Sequence, residues 1–330
     1  MDESQYLTLH GVPTAQPTNP RATFSHQPLD GWTWNGPSRE QQFAIENSCL
    51  SLHDAFERAI LGRRLGEELS DLLVPQWLTN AGHSADCAMS AETFERLLNE
   101  IPVEARPEVH ARLYLEDCRR LIGGVQEVWL QIHLLVGEFY RVLNALVPIQ
   151  HSGAPPGGII FHTGSQASAV WTFANMVYVR LYSLLDYNVK LLDEVRHLHT
   201  TFDRYPRMHS KNILYGQWTR LALTPADIQG TLLEDHPLVA EVATVRNHII
   251  HNGLLDEHPR VYIRYEHGQI VEKFVLMPDL RAGRPVQRVN RLLFFAHEDK
   301  LNLRLPDLID HWMQRQQATL NLALRLMAAR

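Results

Sequence analysis

Arg246-Asn247-His248-Ile249-Ile250-His251-Asn252-Gly253 closes a stretch in which Leu238, Val242, Val245 and Ile249 recur at helical spacing. Asp235 and Pro237 mark where that helix starts, and Gly253 marks where it stops, because glycine readily takes the conformations that end helices. The last two turns gather one arginine, two asparagines and two histidines. Arginine carries a permanent planar charge suited to phosphate, and histidine is the side chain most readily tuned to move protons near neutral pH. With 18 histidines in the chain, other arginines precede a histidine at a similar distance: Arg204 and His209, Arg260 and His267, Arg291 and His297. The first pair is crossed by Pro206, the second falls in a predicted hairpin, and the third encloses Leu292-Leu293-Phe294-Phe295. Only the Arg246 copy has asparagine directly after arginine, ends a helix and is closed by glycine, so context carries the signal.

Upstream, Pro107 fits a helix start, and apolar periodicity runs to Val147, where Pro148 ends it and Gly123-Gly124 offers a kink point. His151-Ser152-Gly153-Ala154-Pro155-Pro156-Gly157-Gly158 reads as a loop. A second long helix spans Gln166 to His199 on the stripe Leu181, Leu184, Leu185, Val189 and Leu192, and Thr224 caps a shorter helix that begins at Pro225. Downstream, Val261–Tyr265 and Ile270–Val275 form a predicted hairpin through His267-Gly268, and a further strand is expected around Leu292–Phe295. The last helix is expected from near Pro306, carrying Ile309, Trp312, Leu320 and Leu324. Residues 1–37, rich in Pro, Thr, Gln and Gly, read as an irregular arm anchored by Trp32 and Trp34. Residues 38–104 read as a helical region: a capping box of Ser38 and Gln41, the repeat Leu52, Phe56, Ile60 up to Gly62, then helices near Leu65–Leu78 and Ser90–Asn99.

The four principal helices of residues 105–330 carry apolar stripes that need one another, which predicts a mainly α protein. Its core is a helical bundle with a hairpin inserted at 260–277, before the last helix. Arg246-Asn247 with His251, late in such a bundle, resembles the motif of HEPN-domain ribonucleases. The resemblance covers residues 105–330 and implies a HEPN-like four-helix-type bundle with metal-independent endoribonuclease chemistry and no cofactor. In that chemistry the ribose 2′-hydroxyl attacks the adjacent phosphorus and the 5′-oxygen leaves. The resemblance gives His251 the role of general acid or base and Arg246 that of binding the phosphate, while Asn247 orients substrate or His251; His248 and Asn252 would line the cleft. It further implies a homodimer, RNA as substrate, a toxin or antiviral-defence setting, and an antitoxin or regulatory protein as partner. Five steps of about 100° put Arg246 and His251 roughly 140° apart on a straight helix, so they meet one phosphate only if the helix loosens before Gly253 or the site is shared; the resemblance implies a composite site facing across a dimer cleft. Two other readings stay open: a HEPN-like bundle serving as a non-catalytic RNA-binding or protein-interaction module, and a coincidental helix terminus in an unrelated helical protein.

Composition sets the remaining bounds. The 330 residues are 45% apolar, enough for a sizeable core, and a net charge of −6 argues against a broadly basic coat for nucleic acid. A local cationic site remains compatible with that charge; Arg281, Arg284, Arg288 and Arg291 form one candidate, with a solvated face as the plainer reading. Cys49, Cys87 and Cys118 form no CxxC pair, the polar start is unlike a signal peptide, and the apolar stretch from Val128 to Leu146 is broken by Gln131, His133, Glu138, Arg141 and Asn144. A soluble, cytoplasmic protein is expected. His197-Leu198-His199 lacks an HExxH arrangement, the Gly153–Gly164 region lacks GxxxxGK[ST], and Ser165 is an N-cap outside any GxSxG. Asp186, Asp193 and Glu194 read as surface charge, and the aromatic residues between Trp171 and Tyr187 read as bundle core. For Arg246 the structural alternative is a pair with Glu241 or Asp235, and for His251 it is a favourable place at the helix C-terminus.

Overall fold

The computed structural model describes residues 6–16, 24–27, 31–34, 36, 39–62, 75–148 and 155–330. The chain is mainly helical. Its α-helices are α1 (Arg39–Leu61), α2 (Gln76–Asn80), α3 (Ala91–Glu100), α4 (Arg106–Ala145), α5 (Ser165–Arg196), α6 (Pro225–Ile228), α7 (Pro237–Asn252) and α8 (Leu301–Ala328). Among the described residues the strands form three small antiparallel sheets. These are β1 (Phe24–Gln27) with β2 (Gly31–Trp34), β3 (Gly157–His162) with β4 (Val261–Glu266) and β5 (Gln269–Phe274), and β6 (Leu280–Arg281) with β7 (Arg284–Pro285). No described helix is long and apolar enough to cross a membrane. The chain divides into two compact units. One holds Met1–Ala44, Glu127–Leu184 and Gln229–Ala318, the other Ile45–Gln126, Leu185–Ile228 and Thr319–Arg330.

In the first unit, α7 begins one residue later than Asp235 suggests. His236 is its N-cap, its ring accepting from the Leu238 N–H at 3.2 Å, and Pro237 takes the first turn, where a missing N–H costs nothing. Val239, Val242 and Val245 are buried, and so is Glu241 between them. The β6–β7 turn lies against the start of this helix. Gly283 has φ +75°, and a Cβ there would fall 1.9 Å from the Pro237 carbonyl oxygen, a place only glycine can occupy. Gly283→Ala is therefore expected to cost about 2 kcal/mol or more in urea unfolding, through both the left-handed backbone and the clash.

The β4–β5 hairpin turns through His267 at φ 51° and Gly268 at φ 78°, the two left-handed residues of a type I′ turn. β3 takes in Gly157 and Gly158, expected as the end of a loop, and continues to His162, for which the sequence predicts no strand. It pairs with β4 from Gly157↔Glu266 to His162↔Val261, and its alternating exposure is that of an edge strand. Residues Leu292–Phe295, expected as a strand, form none. They are largely exposed, and the Phe294 carbonyl accepts from the Asp279 N–H at 2.8 Å without a ladder around it.

The last helix also corrects the sequence reading. α8 starts at Leu301, which leaves Pro306 inside it. Proline has no N–H to give the carbonyl four residues back, that of Asn302, and normally breaks a helix interior for this reason. Here the Tyr140 hydroxyl donates to that carbonyl instead. The Asn302 side chain accepts from the Val275 N–H at 3.1 Å and donates to the Leu9 carbonyl at 2.7 Å, so the residue whose carbonyl Tyr140 satisfies also ties down two neighbouring segments.

The N-terminal segment, expected to be irregular, contributes β1 and β2 and an isolated bridge between Tyr6 and Thr14. Trp34 is fully buried, and its carbonyl accepts from His133 Nδ1 at 2.7 Å while the two rings stack. Burial pushes the His133 pKa below the ordinary histidine value of 6.5. Its neutral form is thus favoured in the folded protein, so this stabilisation is present above about pH 6.5 and is lost as the pH falls toward the lowered folded value. Melting temperatures followed by circular dichroism should drop between pH 7.5 and 5.5, with a shallower slope in His133→Phe. Asn144 clasps the segment at Thr8, accepting from its N–H at 3.0 Å and donating to its carbonyl at 2.9 Å.

In the second unit, Leu52, Phe56 and Ile60 of α1 are buried as their spacing requires. α3 starts after Ser90, whose hydroxyl accepts from the Thr93 N–H at 3.2 Å. Gly124 interrupts nothing in α4; a Cβ there would sit 2.3 Å from the Tyr187 ring, so the glycine permits close approach of an aromatic side chain. Glu194, read from sequence as surface charge, is fully buried and accepts from the Tyr114 hydroxyl at 2.5 Å and from the Ser210 hydroxyl at 2.8 Å. Asp193 is likewise buried beside His197, and Asp186 accepts from the Tyr215 N–H at 2.6 Å. Ser38 and most of the helix expected at Leu65–Leu78 lie outside the described residues; α2 is the part that falls within them.

Candidate active site

α7 presents the motif on its last two turns. The helix stays regular through Asn252 and ends at Gly253, with φ 97°. The Arg246 guanidinium lies over the Tyr182 ring at 4.6 Å, a favourable cation–π arrangement, and its Nη1 donates to Asn247 Oδ1 at 2.9 Å. Among the described residues no carboxylate pairs with Arg246. Glu241 is committed elsewhere: it accepts from the Tyr178 hydroxyl at 3.0 Å and from Arg304 Nε at 3.1 Å. The motif arginine is therefore half-buried, positioned and electrostatically uncompensated.

His251 and Asn252 are exposed, as is Asn247. His248 points the other way. It is buried, and burial lowers its pKa. The chain leaves α7 at Gly253, just before the fully buried Leu255. The structure thus joins Arg246 to Asn247 by a hydrogen bond and leaves His251 around the helix from Arg246. Because α7 does not loosen before Gly253, the angular separation of roughly 140° persists. Tyr182, the platform under Arg246, was read from sequence as one of the core aromatic residues; its role depends on a helix 64 residues away and leaves no local signal.

Other constellations resolve into structure. His199 stacks on His209 at 4.6 Å, and its Nε2 donates to the Arg207 carbonyl at 3.1 Å. Among the described residues no three His, Cys, Asp or Glu side chains are grouped to hold a metal ion. Cys49 is buried and its thiol is pushed up to about 12, so it is not a poised nucleophile; burial raises Cys118 in the same direction. Gly157 and Gly158 belong to β3, which removes them from any phosphate loop.

Comparison with known proteins adds no relative: no family model, no curated protein and no solved structure matches the chain.

Proposed function

We propose that this protein is a HEPN-type endoribonuclease whose working site is made from the α7 ends of two copies. The observation that carries the reading is the pairing of an uncompensated guanidinium, held by Tyr182 and Asn247, with an exposed imidazole five residues on, at a free helix end. His251 takes the proton of the ribose 2′-hydroxyl or returns one to the leaving 5′-oxygen, and the 2′-oxygen bonds to phosphorus as the 5′-oxygen bond breaks. Arg246 binds the phosphoryl oxygens and the charge that develops on them, and Asn247 orients the guanidinium. The products are a cyclic phosphate end and a 5′-hydroxyl end. No step assigned to these residues uses a metal or a cofactor. A reducing cytoplasmic setting suits the three free thiols, and a toxin or defence role with a regulatory partner is what the resemblance adds.

The angle between Arg246 and His251 favours a second reading for a protein that stays monomeric: the same residues bind RNA without cutting it. Incubating the protein with labelled single-stranded RNA in EDTA, together with sedimentation velocity, tests both. Cyclic-phosphate products from a dimer support the nuclease. A monomer that binds RNA and leaves it intact replaces it with the module.

A further inference from the structure

We propose that residues 281–295 form a second contact for single-stranded RNA, which delivers the strand to the α7 end. Between Asp279 and Glu298 the chain has no carboxylate, yet it carries Arg281, Arg284, Arg288 and Arg291. All four arginines are exposed, and among the described residues none of their guanidinium groups makes a hydrogen bond, ion pair or ring contact. Other arginines of this unit are paired with carboxylates: Arg264 with Glu272 and Glu298, Arg304 with Glu241, Arg315 with Glu234. The two bounding acids are also engaged, Asp279 by the Ala296 and His297 N–H groups and Glu298 by Arg264 and Lys300. In a protein of net charge −6, this is a local run of unneutralised positive charge.

Charge alone would fit any polyanion. The same segment leaves Phe294 37% and Phe295 40% exposed. A run of exposed guanidinium groups followed by two exposed aromatic rings offers what an unpaired nucleic-acid strand needs: cations track the phosphates while the rings stack on splayed bases. A duplex hides its base faces and gives the rings nothing to stack on. An acidic peptide would match the arginines and leave the phenylalanines unused. The segment is also fixed to the motif helix, since Gly283 packs on Pro237 and Glu241 of α7. The rise of an α-helix puts that contact about 20 Å along the axis from His251. The choice of RNA over DNA rests on the ribonuclease reading of α7; the single-strand contact does not.

The test is fluorescence anisotropy with a labelled, mixed-sequence single-stranded RNA of about 16 nucleotides, the upper end of usual single-strand site sizes. It is run in the full chain carrying His251→Ala, so that the probe survives. Replacing the four arginines together by glutamine should weaken binding on the order of 100-fold near 0.1 M salt. The slope of log K against log salt should become shallower by about 0.7 per lost contact. Phe294→Ala with Phe295→Ala should weaken binding about tenfold and leave the slope unchanged. These side chains are exposed, so unchanged melting temperatures are expected and separate lost binding from lost folding. Affinity indifferent to both variants overturns the proposal, as does a parent protein that binds no RNA, or a surface that takes a protein while RNA binding is unaltered. Cleavage is scored separately on the protein with His251 intact. Arginine-dependent binding without cleavage supports this contact and removes the nuclease; cleavage with arginine-independent binding does the reverse.

Discussion

His251→Ala is expected to lower RNA cleavage by about 10² to 10⁴-fold, the range that general acid–base groups supply, while leaving the fold intact. The imidazole is exposed on the last turn of α7, and surface changes of that kind usually move stability by less than about 0.5 kcal/mol. Arg246→Ala should fall by about 10² to 10³-fold, as for other groups that stabilise transition-state charge. Arg246→Lys should recover only part of this, since an ammonium lacks the planar fork that meets Asn247 and phosphate together. The proposed composite site makes a sharper demand. A mixed dimer of Arg246→Ala and His251→Ala protomers keeps one intact site, built from the arginine of one copy and the histidine of the other. Random exchange of the two inactive proteins should therefore restore about a quarter of wild-type activity, and no recovery would place the whole site within one chain.

The largest stability effect is expected at Arg304. Its guanidinium neutralises Glu241, a carboxylate almost without solvent contact on the buried face of α7, and the carboxylate in turn raises the arginine pKa. Arg304→Ala strands that charge, which typically costs about 3 to 5 kcal/mol. Arg304 is itself partly exposed, so water can reach the gap and the lower end of that range applies. Glu241→Leu with Arg304→Leu removes both charges and should be milder, although the Tyr178 hydroxyl then loses its acceptor. Urea unfolding resolves the pair: midpoints should shift in that order with the slope unchanged. Equal losses in the single and double variants would mean that the ion pair is not what holds α7.

How much of this was legible in the sequence varied with the range of the interactions involved. The end of α7 at Gly253, the cap of α3 at Ser90 and the turn at His267-Gly268 rest on neighbours a few residues apart, and local chemistry announces them. β3 was missed because Ile159-Ile160-Phe161 becomes a strand only by pairing with β4, a hundred residues later. The start of α8 was misplaced because a proline normally ends helices; the hydroxyl that compensates for it arrives from α4. At the site, Arg246, Asn247 and His251 were visible by type and spacing. The sequence offered Glu241 as a partner for Arg246, and only packing shows that carboxylate turned inward to Arg304.

Tyr140 and Pro306 also carry a consequence for how this chain can vary. Each makes sense of the other: the hydroxyl meets a carbonyl that the proline leaves vacant. Loss of the hydroxyl alone orphans the carbonyl in the core, and loss of the proline alone sets a helix N–H and a phenol competing for one acceptor. Genetic drift at either position is thus conditional on the other. Related chains should change the two together or not at all, a covariation between residues 166 positions apart that would betray the packing of α4 against α8 from an alignment alone.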